Sequence, residues 1–290
     1  MNRIINYTIF EDGLSIQNYL KTKGYTSSIF KQLKKTTDNV LVNGLYKPLW
    51  TPLSSGDELT ILIQETTSSP NIVSKPISLS IVYEDDDLLV LNKQSDCPIH
   101  PSQNNLDNTL ANGVMDYYQK KGDTIVFRCI NRLDRNTTGL TIIAKHYLSS
   151  AVLSVEMMNR MIQRTYLALV EGSIPDSGTI NSPIARVEGS TIERKISPLG
   201  ETAITHFKKI SEKNGISLIS LQLETGRTHQ IRVHMKSIGF PLLGDGIYNP
   251  TNHSMDRQAL HSAQLRFIHP VTGHECLFTQ PLPADMAFFI

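Results

Sequence analysis

Ile130-Asn131-Arg132-Leu133-Asp134-Arg135-Asn136-Thr137-Thr138-Gly139-Leu140 sets one carboxylate between two arginines and follows it with a run of turn formers. Short polar side chains compete for the backbone and glycine adds conformational freedom, so Asn136 to Gly139 predict a turn rather than a helix interior. The next residues, Leu140-Thr141-Ile142-Ile143-Ala144, are apolar and β-branched and predict a buried strand. Asp134 is therefore expected on a loop made rigid by the strand it feeds. Taken alone, the peptide reads equally well as a salt-bridged turn or as a fixed carboxylate available for chemistry.

The same residues resemble the H-R-L-D-x-x-T-S-G-L signature of the RluA/RluD family of pseudouridine synthases, in which the aspartate is catalytic. Asn131 stands where the family usually has His, and Thr138 where it has Ser. Threonine keeps the hydroxyl, whereas asparagine removes a titratable group. The resemblance implies that Asp134 is catalytic and that Arg132 enters the space left by a flipped base. It also makes Arg135 a candidate for RNA contact.

With 290 residues, 40% of them hydrophobic, the chain can fill one large core and a small one. No apolar run approaches the roughly 20 residues of a membrane span, and acids follow the N-terminus too closely for a secretory signal, so a cytoplasmic location is expected. Cys97, Cys129 and Cys276 are odd in number and lack C-x-x-C spacing, which argues against both a disulfide framework and a zinc site. The net charge is only +1, so any surface for a polyanion must be local. Between Lys21 and Lys47 such a surface is visible: Lys21, Lys23, Lys31, Lys34, Lys35 and Lys47 face the single acid Asp38.

Residues 12–64 read as a compact module. Leu14, Ile16, Tyr19 and Leu20 recur at helical spacing, and a second helix capped by Ser27 or Ser28 turns Ile29, Phe30 and Leu33 inward and Lys31, Lys34 and Lys35 outward. Val40-Leu41-Val42 meets the hairpin signal Asn43-Gly44, and Leu59 to Ile63 predicts a further strand. A solvated helix face is the ordinary reading of the lysines. The pattern resembles, however, the RNA-binding module of a small-subunit ribosomal protein (S4), which often precedes the catalytic domain in the RluA/RluD family. That likeness implies RNA contact by Lys31, Lys34 and Lys35.

Residues 65–77 have the Ser, Thr and Pro content of a linker, leaving 78–290 as the larger domain. Leu79 to Lys93 predicts a hairpin, Asn108 a helix cap for a segment through Tyr118, and Leu148 to Met161 a helix with Val152, Val155 and Met158 along its apolar stripe. The block Asn92 to Pro101 resembles the family's N-K-P-x-G-x-x-V-H-P, with Gln94 and Asp96 in place of Pro and Gly, and puts Lys93 among the candidates for RNA contact. Arg164 to Gly172 alternates as a strand and resembles K-x-Y-x-A-x-V-x-G, which places Tyr166 at the active-site tyrosine. Further strands are expected at Ala203 to Phe207 and Leu218 to Leu223.

Leu223 to Gly239 is dense in cations and polar groups. Thr228 is a plausible cap and Gly239 a plausible end for a helix of about three turns. His229 and His234 are five apart and lack the glutamate of H-E-x-x-H, so a metal reading fails on spacing. The block resembles the family almost without interruption; the likeness pairs Arg227 with the catalytic aspartate and leaves Arg232 as an RNA contact. Strands dominate without regular β-α alternation, so the fold is expected to be α+β, a mostly antiparallel mixed sheet behind the small module.

Pseudouridine formation breaks the bond from uracil N1 to ribose and rejoins the base through C5, with no net redox change. It requires no cofactor, in keeping with a sequence that has no G-x-G-x-x-G or Walker loop. The expectation is thus an RNA pseudouridine synthase acting on ribosomal rather than transfer RNA, as a monomer without metal. A hydrolytic glycosidase would need two carboxylates across the bond. A kinase would need H-R-D-L order and a following D-F-G. An RNA-binding protein without activity is the remaining alternative, and the joint presence of Asp134, Tyr166 and Arg227 speaks against it.

Overall fold

The computed structural model describes residues 2–103 and 105–290. Its first part holds β1 (Asn2–Thr8), α1 (Ile16–Thr22), α2 (Ser27–Leu33), β2 (Val40–Val42), β3 (Leu45–Tyr46) and β4 (Glu58–Gln64), with an antiparallel sheet in the order β1-β4-β2-β3. Asn43 and Gly44 take φ of 52° and 78°, the pair of positive values that a tight hairpin requires. The Ser15 hydroxyl accepts from the Asn18 amide to start α1. The second helix is entered from Thr26, one residue ahead of the expected serines. β1 lies outside the expected span and pairs with β4 along its whole length. It escapes sequence reading because Ile5 is its one fully buried residue.

The two helices bury Ile16, Leu20, Ile29, Phe30 and Leu33 against Val42, Leu59, Ile61 and Ile63. That core does not close on itself. Leu148 belongs to it, with Tyr147, Ala151 and Val152 packed alongside, all from a helix of the larger part. Arg3 donates Nε to Asp87 Oδ1 at 2.8 Å and a second N–H to Oδ2 at 3.0 Å across the same junction. The segment 65–77 is tied down rather than free: Glu65 is buried and pairs with Arg128 at 2.9 Å, and Asn112 donates to the Val73 carbonyl at 2.7 Å.

The larger part runs β5 (Ile81–Glu84), β6 (Leu88–Lys93), α3 (Leu110–Lys120), β7 (Thr138–Ala144), α4 (Tyr147–Met158), β8 (Gln163–Glu171), β9 (Ser177–Asn181), β10 (Ile184–Arg186) and β11 (Arg194–Ile196). It continues with β12 (Ile204–Lys213), β13 (Ile216–Leu223), α5 (Gln230–Ser237), β14 (Leu260–Ile268), β15 (Glu275–Thr279) and α6 (Ala284–Ala287). One mixed sheet follows the order β5-β6-β7-β14-β8-β13-β12-β9, with β15 beside β14 and β10-β11 as a separate ribbon. β7 and β14 are parallel, and the other pairings are antiparallel. The α+β expectation therefore holds.

Three helix expectations change. Thr109, not Asn108, caps α3, in a capping box with Asn112. α4 buries Leu148 toward the small module and Leu153 toward the sheet, while Val155 and Met158 are 40% and 74% exposed. A helix wedged between two cores buries two partial stripes, so a single periodic stripe mislocates its inner face. α5 has eight residues instead of three turns, because His229 itself sits at the N-cap with φ 57° and ψ 18°.

Candidate active site

The loop from Asn131 to Thr137 is held from behind by its side chains. The Asn131 amide donates to the Leu140 carbonyl at 3.0 Å and its oxygen accepts the Ile142 amide at 2.8 Å, so one side chain pairs with β7 as a neighbouring backbone would. That is the structural use of asparagine where the family usually has histidine. Leu133 is buried in the core, and the Thr137 amide closes the turn onto the Asp134 carbonyl at 3.1 Å. Gly139 lets β7 approach β14: with φ 108°, a Cβ there would lie 2.3 Å from the Ser262 carbonyl oxygen. The close pairing sets the Asp134 loop near β8, two strands away, which carries Tyr166 opposite Ser262.

Asp134, 25% exposed, lines a cleft of about 740 Å³ together with Arg132, Arg164, Tyr166, Arg227, His229 and Arg232. Arg232 donates to Asp134 Oδ2 at 3.1 Å and clamps Asp245 with two hydrogen bonds of 2.8 Å. Asp245, fully buried, also accepts the amides of Ile247 and Tyr248 at 3.1 Å. Among the described residues, Asp134 Oδ1 makes no hydrogen bond. Tyr166 is buried, and burial pushes its phenol above the usual range, opposed by the Arg164 charge and reinforced by Asp134. Arg164 leaves a buried Nε without a partner at the cleft wall.

The expected pair between Arg227 and Asp134 is not formed. Arg227 reaches the Thr202 carbonyl at 3.0 Å and the Glu201 carboxylate, and its side chain is 38% exposed. It precedes the turn that His229 makes, whereas Arg232 follows on the first turn of α5 and faces inward; the counter-charge moves from the motif's first arginine to its second. Lys93 also departs from expectation. It is buried, with Nζ donating to the carbonyls of Gln94, Cys97 and Arg135 at 2.8 to 2.9 Å, and burial pushes its ammonium down to about 8. Such a group ties two loops together and cannot meet phosphate. Asp96 in that loop adopts φ 56°, a conformation that suits the family's glycine.

Arg132 is exposed at the cleft, and among the described residues no hydrogen bond or ion pair fixes its guanidinium. Arg135 is exposed and pairs with Asp96 at 2.6 Å. Lys31 is exposed on α2, while Lys34 caps that helix and Lys35 follows in the turn, both exposed, so the three lysines form a patch at the helix end rather than a helix face. Sequence reading did not assign Asp245, Tyr248 and Arg164 to the site, although Arg164 opens the block that resembles K-x-Y-x-A-x-V-x-G and Gly244 to Tyr248 also resembles the family; their contacts with the site are made by the fold. Asp85, Asp87 and His269 place donor atoms within 4.8 Å of one another. Those atoms are occupied by Arg3, His146 and the amides of Asp87 and Leu88, so the group reads as an ion-pair network at the domain junction.

A family model described as RNA pseudouridylate synthase matches residues 87–237. The chain is 37% identical over 278 residues to the RNA pseudouridine synthase YjbO of Bacillus subtilis (strain 168), covering 96% of this chain and 98% of that protein. It is 38% identical over 267 residues to ribosomal large subunit pseudouridine synthase D of Salmonella typhimurium, covering 87% and 81%. Among solved structures, human RNA pseudouridylate synthase domain containing 1 superposes with a TM-score of 0.59 at 27% identity, over 73% of this chain and 90% of that one. The class is thereby fixed as RNA pseudouridine synthases, enzymes that isomerise uridine in RNA. Within it, the chain belongs to the RluA/RluD family.

Proposed function

We propose that this enzyme isomerises a specific uridine in structured RNA, ribosomal rather than transfer RNA, by flipping the base into the cleft and breaking and re-forming its glycosidic bond through Asp134. The observation that carries the reading is the asymmetry of that carboxylate: Oδ2 is held by Arg232 while Oδ1 makes no hydrogen bond in a cleft of about 740 Å³. A cavity of this size lies within the range of about 300–1,000 Å³ typical of small-ligand sites. An ionised carboxylate either attacks ribose C1′, with the N1 bond pair leaving on uracil, or removes the C2′ proton; both begin at Oδ1. The base then turns and C5 bonds to C1′, breaking the bond to Asp134 in the first route or with return of the proton to C2′ in the second, and the C5 proton is lost as N1 gains one. Tyr166, kept a neutral phenol by burial, is suited to stacking on the freed base. A uridine inside folded RNA is unreachable without extrusion, and the unfixed Arg132 side chain is placed to fill the gap.

Residues 2–64 are read as an S4-like module whose lysine patch at the end of α2 meets phosphates, with the larger domain supplying the chemistry. The likeness to a large-subunit ribosomal synthase supports ribosomal RNA as substrate. Three unpaired cysteines support a reducing, cytoplasmic setting, and we read the enzyme as a monomer. The test is Asp134→Asn, which keeps the shape and removes the charge. RNA extracted from a strain lacking the gene and labelled with tritium at uracil C5 should still bind, while tritium release falls below detection. Turnover near wild type would remove Asp134 from the mechanism.

A further inference from the structure

We infer that His229 is a positioning residue for Asp134: Tyr248 fixes its imidazole with Nε2–H toward the carboxylate, so that His229 and Arg232 together hold Oδ2 while Oδ1 is left to act. The inference rests on the reading of Asp134 as the reactive group. Its first support is the backbone. His229 adopts φ 57° and ψ 18°, a left-handed conformation taken by only a few per cent of non-glycine residues, and it does so at the entrance of the helix that carries Arg232. That turn brings Nε2 to 3.9 Å from Asp134 Oδ2, just beyond hydrogen-bonding distance, on a side chain only 10% exposed. Active-site hydrogen bonds are often long in the free enzyme and tighten when substrate closes the site.

The tautomer follows from bookkeeping at Tyr248. Its hydroxyl accepts the Arg194 amide at 2.9 Å and lies 2.9 Å from His229 Nδ1; among the described residues the phenol proton has no other acceptor, which directs it at Nδ1 and places the ring proton on Nε2. The two rings meet edge-on at 5.6 Å. Tyr248 in turn lies under Arg232, whose guanidinium carbon is 5.0 Å from the ring centroid, and its amide is held by Asp245, the other partner of Arg232. Asp245 thus supports Asp134 by two routes, one through Arg232 and one through Tyr248 and His229. Burial, with Arg232 and Arg194, lowers the imidazole below its usual range against the pull of Asp134 and Asp245, which favours the neutral N–H donor that this role needs.

The experiment uses the full chain and the C5-tritiated RNA described above, in single turnover, with Asp134→Asn as the control. Tyr248→Phe keeps the ring under Arg232 and releases the tautomer. The neutral imidazole is then free to populate both tautomers, one of which turns a lone pair to the carboxylate, whereas the protonated ring always presents an N–H there. The Tyr248→Phe rate, relative to wild type, should therefore be low at high pH and recover as pH falls through the imidazole titration. His229→Asn, which tolerates the left-handed backbone, should lower the rate about ten- to a hundredfold, as small misplacements of reacting groups do, with RNA affinity within about twofold. A Tyr248→Phe to wild-type ratio that stays flat with pH, or a His229→Asn rate equal to wild type, overturns the inference; should His229→Asn fail to fold, the Tyr248→Phe profile decides. If Asp134→Asn itself turns over, the reading of the site fails instead, so the two failures are distinguishable.

Discussion

Arg232 joins two carboxylates, Asp134 in the cleft and Asp245 beneath it, and that double duty separates it from the other arginines of the site. Arg232→Met should abolish turnover and cost about 3–5 kcal/mol in a urea melt, because it strands a buried carboxylate. Arg227→Ala should leave the melt within about 0.5 kcal/mol, since the residue is partly exposed and its partners can hydrate. Its defect is expected in RNA affinity more than in the single-turnover rate; a rate as low as that of Arg232→Met would return the counter-charge role to Arg227. Lys93→Met offers the same contrast. It leaves three carbonyls without their shared donor, so stability should fall by about 2–4 kcal/mol while the salt dependence of RNA binding stays unchanged. A shallower salt slope would show that Lys93 meets phosphate after all.

At the scale of elements, the site depends on how β7 lies against β14. Gly139→Ala would set a methyl 2.3 Å from the Ser262 carbonyl in a backbone region that alanine avoids. The loss should exceed about 3 kcal/mol by thermal or urea denaturation, with activity lost even where the fold survives, since the Asp134 loop must move with the strand. Wild-type stability would mean that the strands can separate without cost. Strands such as β6 and β7 were legible because their apolar runs are bounded by turn residues, and β8 because its residues alternate. The starts of α2, α3 and α5 were not, because adjacent polar residues compete for each cap and backbone geometry chooses between them.

At the scale of the molecule, the small module is docked rather than tethered. A chain beginning near Lys75 would expose Leu148 and Val152 and leave Asp87 without Arg3 and Arg128 without Glu65. A free linker at 65–77 would imply a soluble fragment that binds RNA weakly. The junction adds that the fragment should melt at least several degrees below the full chain, because apolar burial and a buried charge pair are lost together. Its RNA affinity should also fall with a shallower salt slope, as Lys31, Lys34 and Lys35 are gone. Equal melting temperatures would mean that the junction contributes nothing, and an equal salt slope that the lysine patch does not meet phosphate.

Sequence by itself determined the α+β class, the small module with its hairpin at Asn43-Gly44, and the loop-then-strand setting of Asp134 with Tyr166 on a strand. These follow from side-chain periodicity and turn chemistry acting over a few residues. Only the tertiary structure decided that Arg232 rather than Arg227 meets Asp134, that Lys93 is a buried clamp, and that Asp245 and Tyr248 hold Arg232 and His229 beside the carboxylate. Arg232 lies 98 positions from Asp134 in the chain, and the two meet because β7, β14 and β8 are neighbours in one sheet and α5 sends Ile231 and Met235 into the same core as Leu133 and Tyr166. A motif specifies which residue types are present, whereas which of two nearby arginines turns inward depends on a single left-handed residue at the start of a helix.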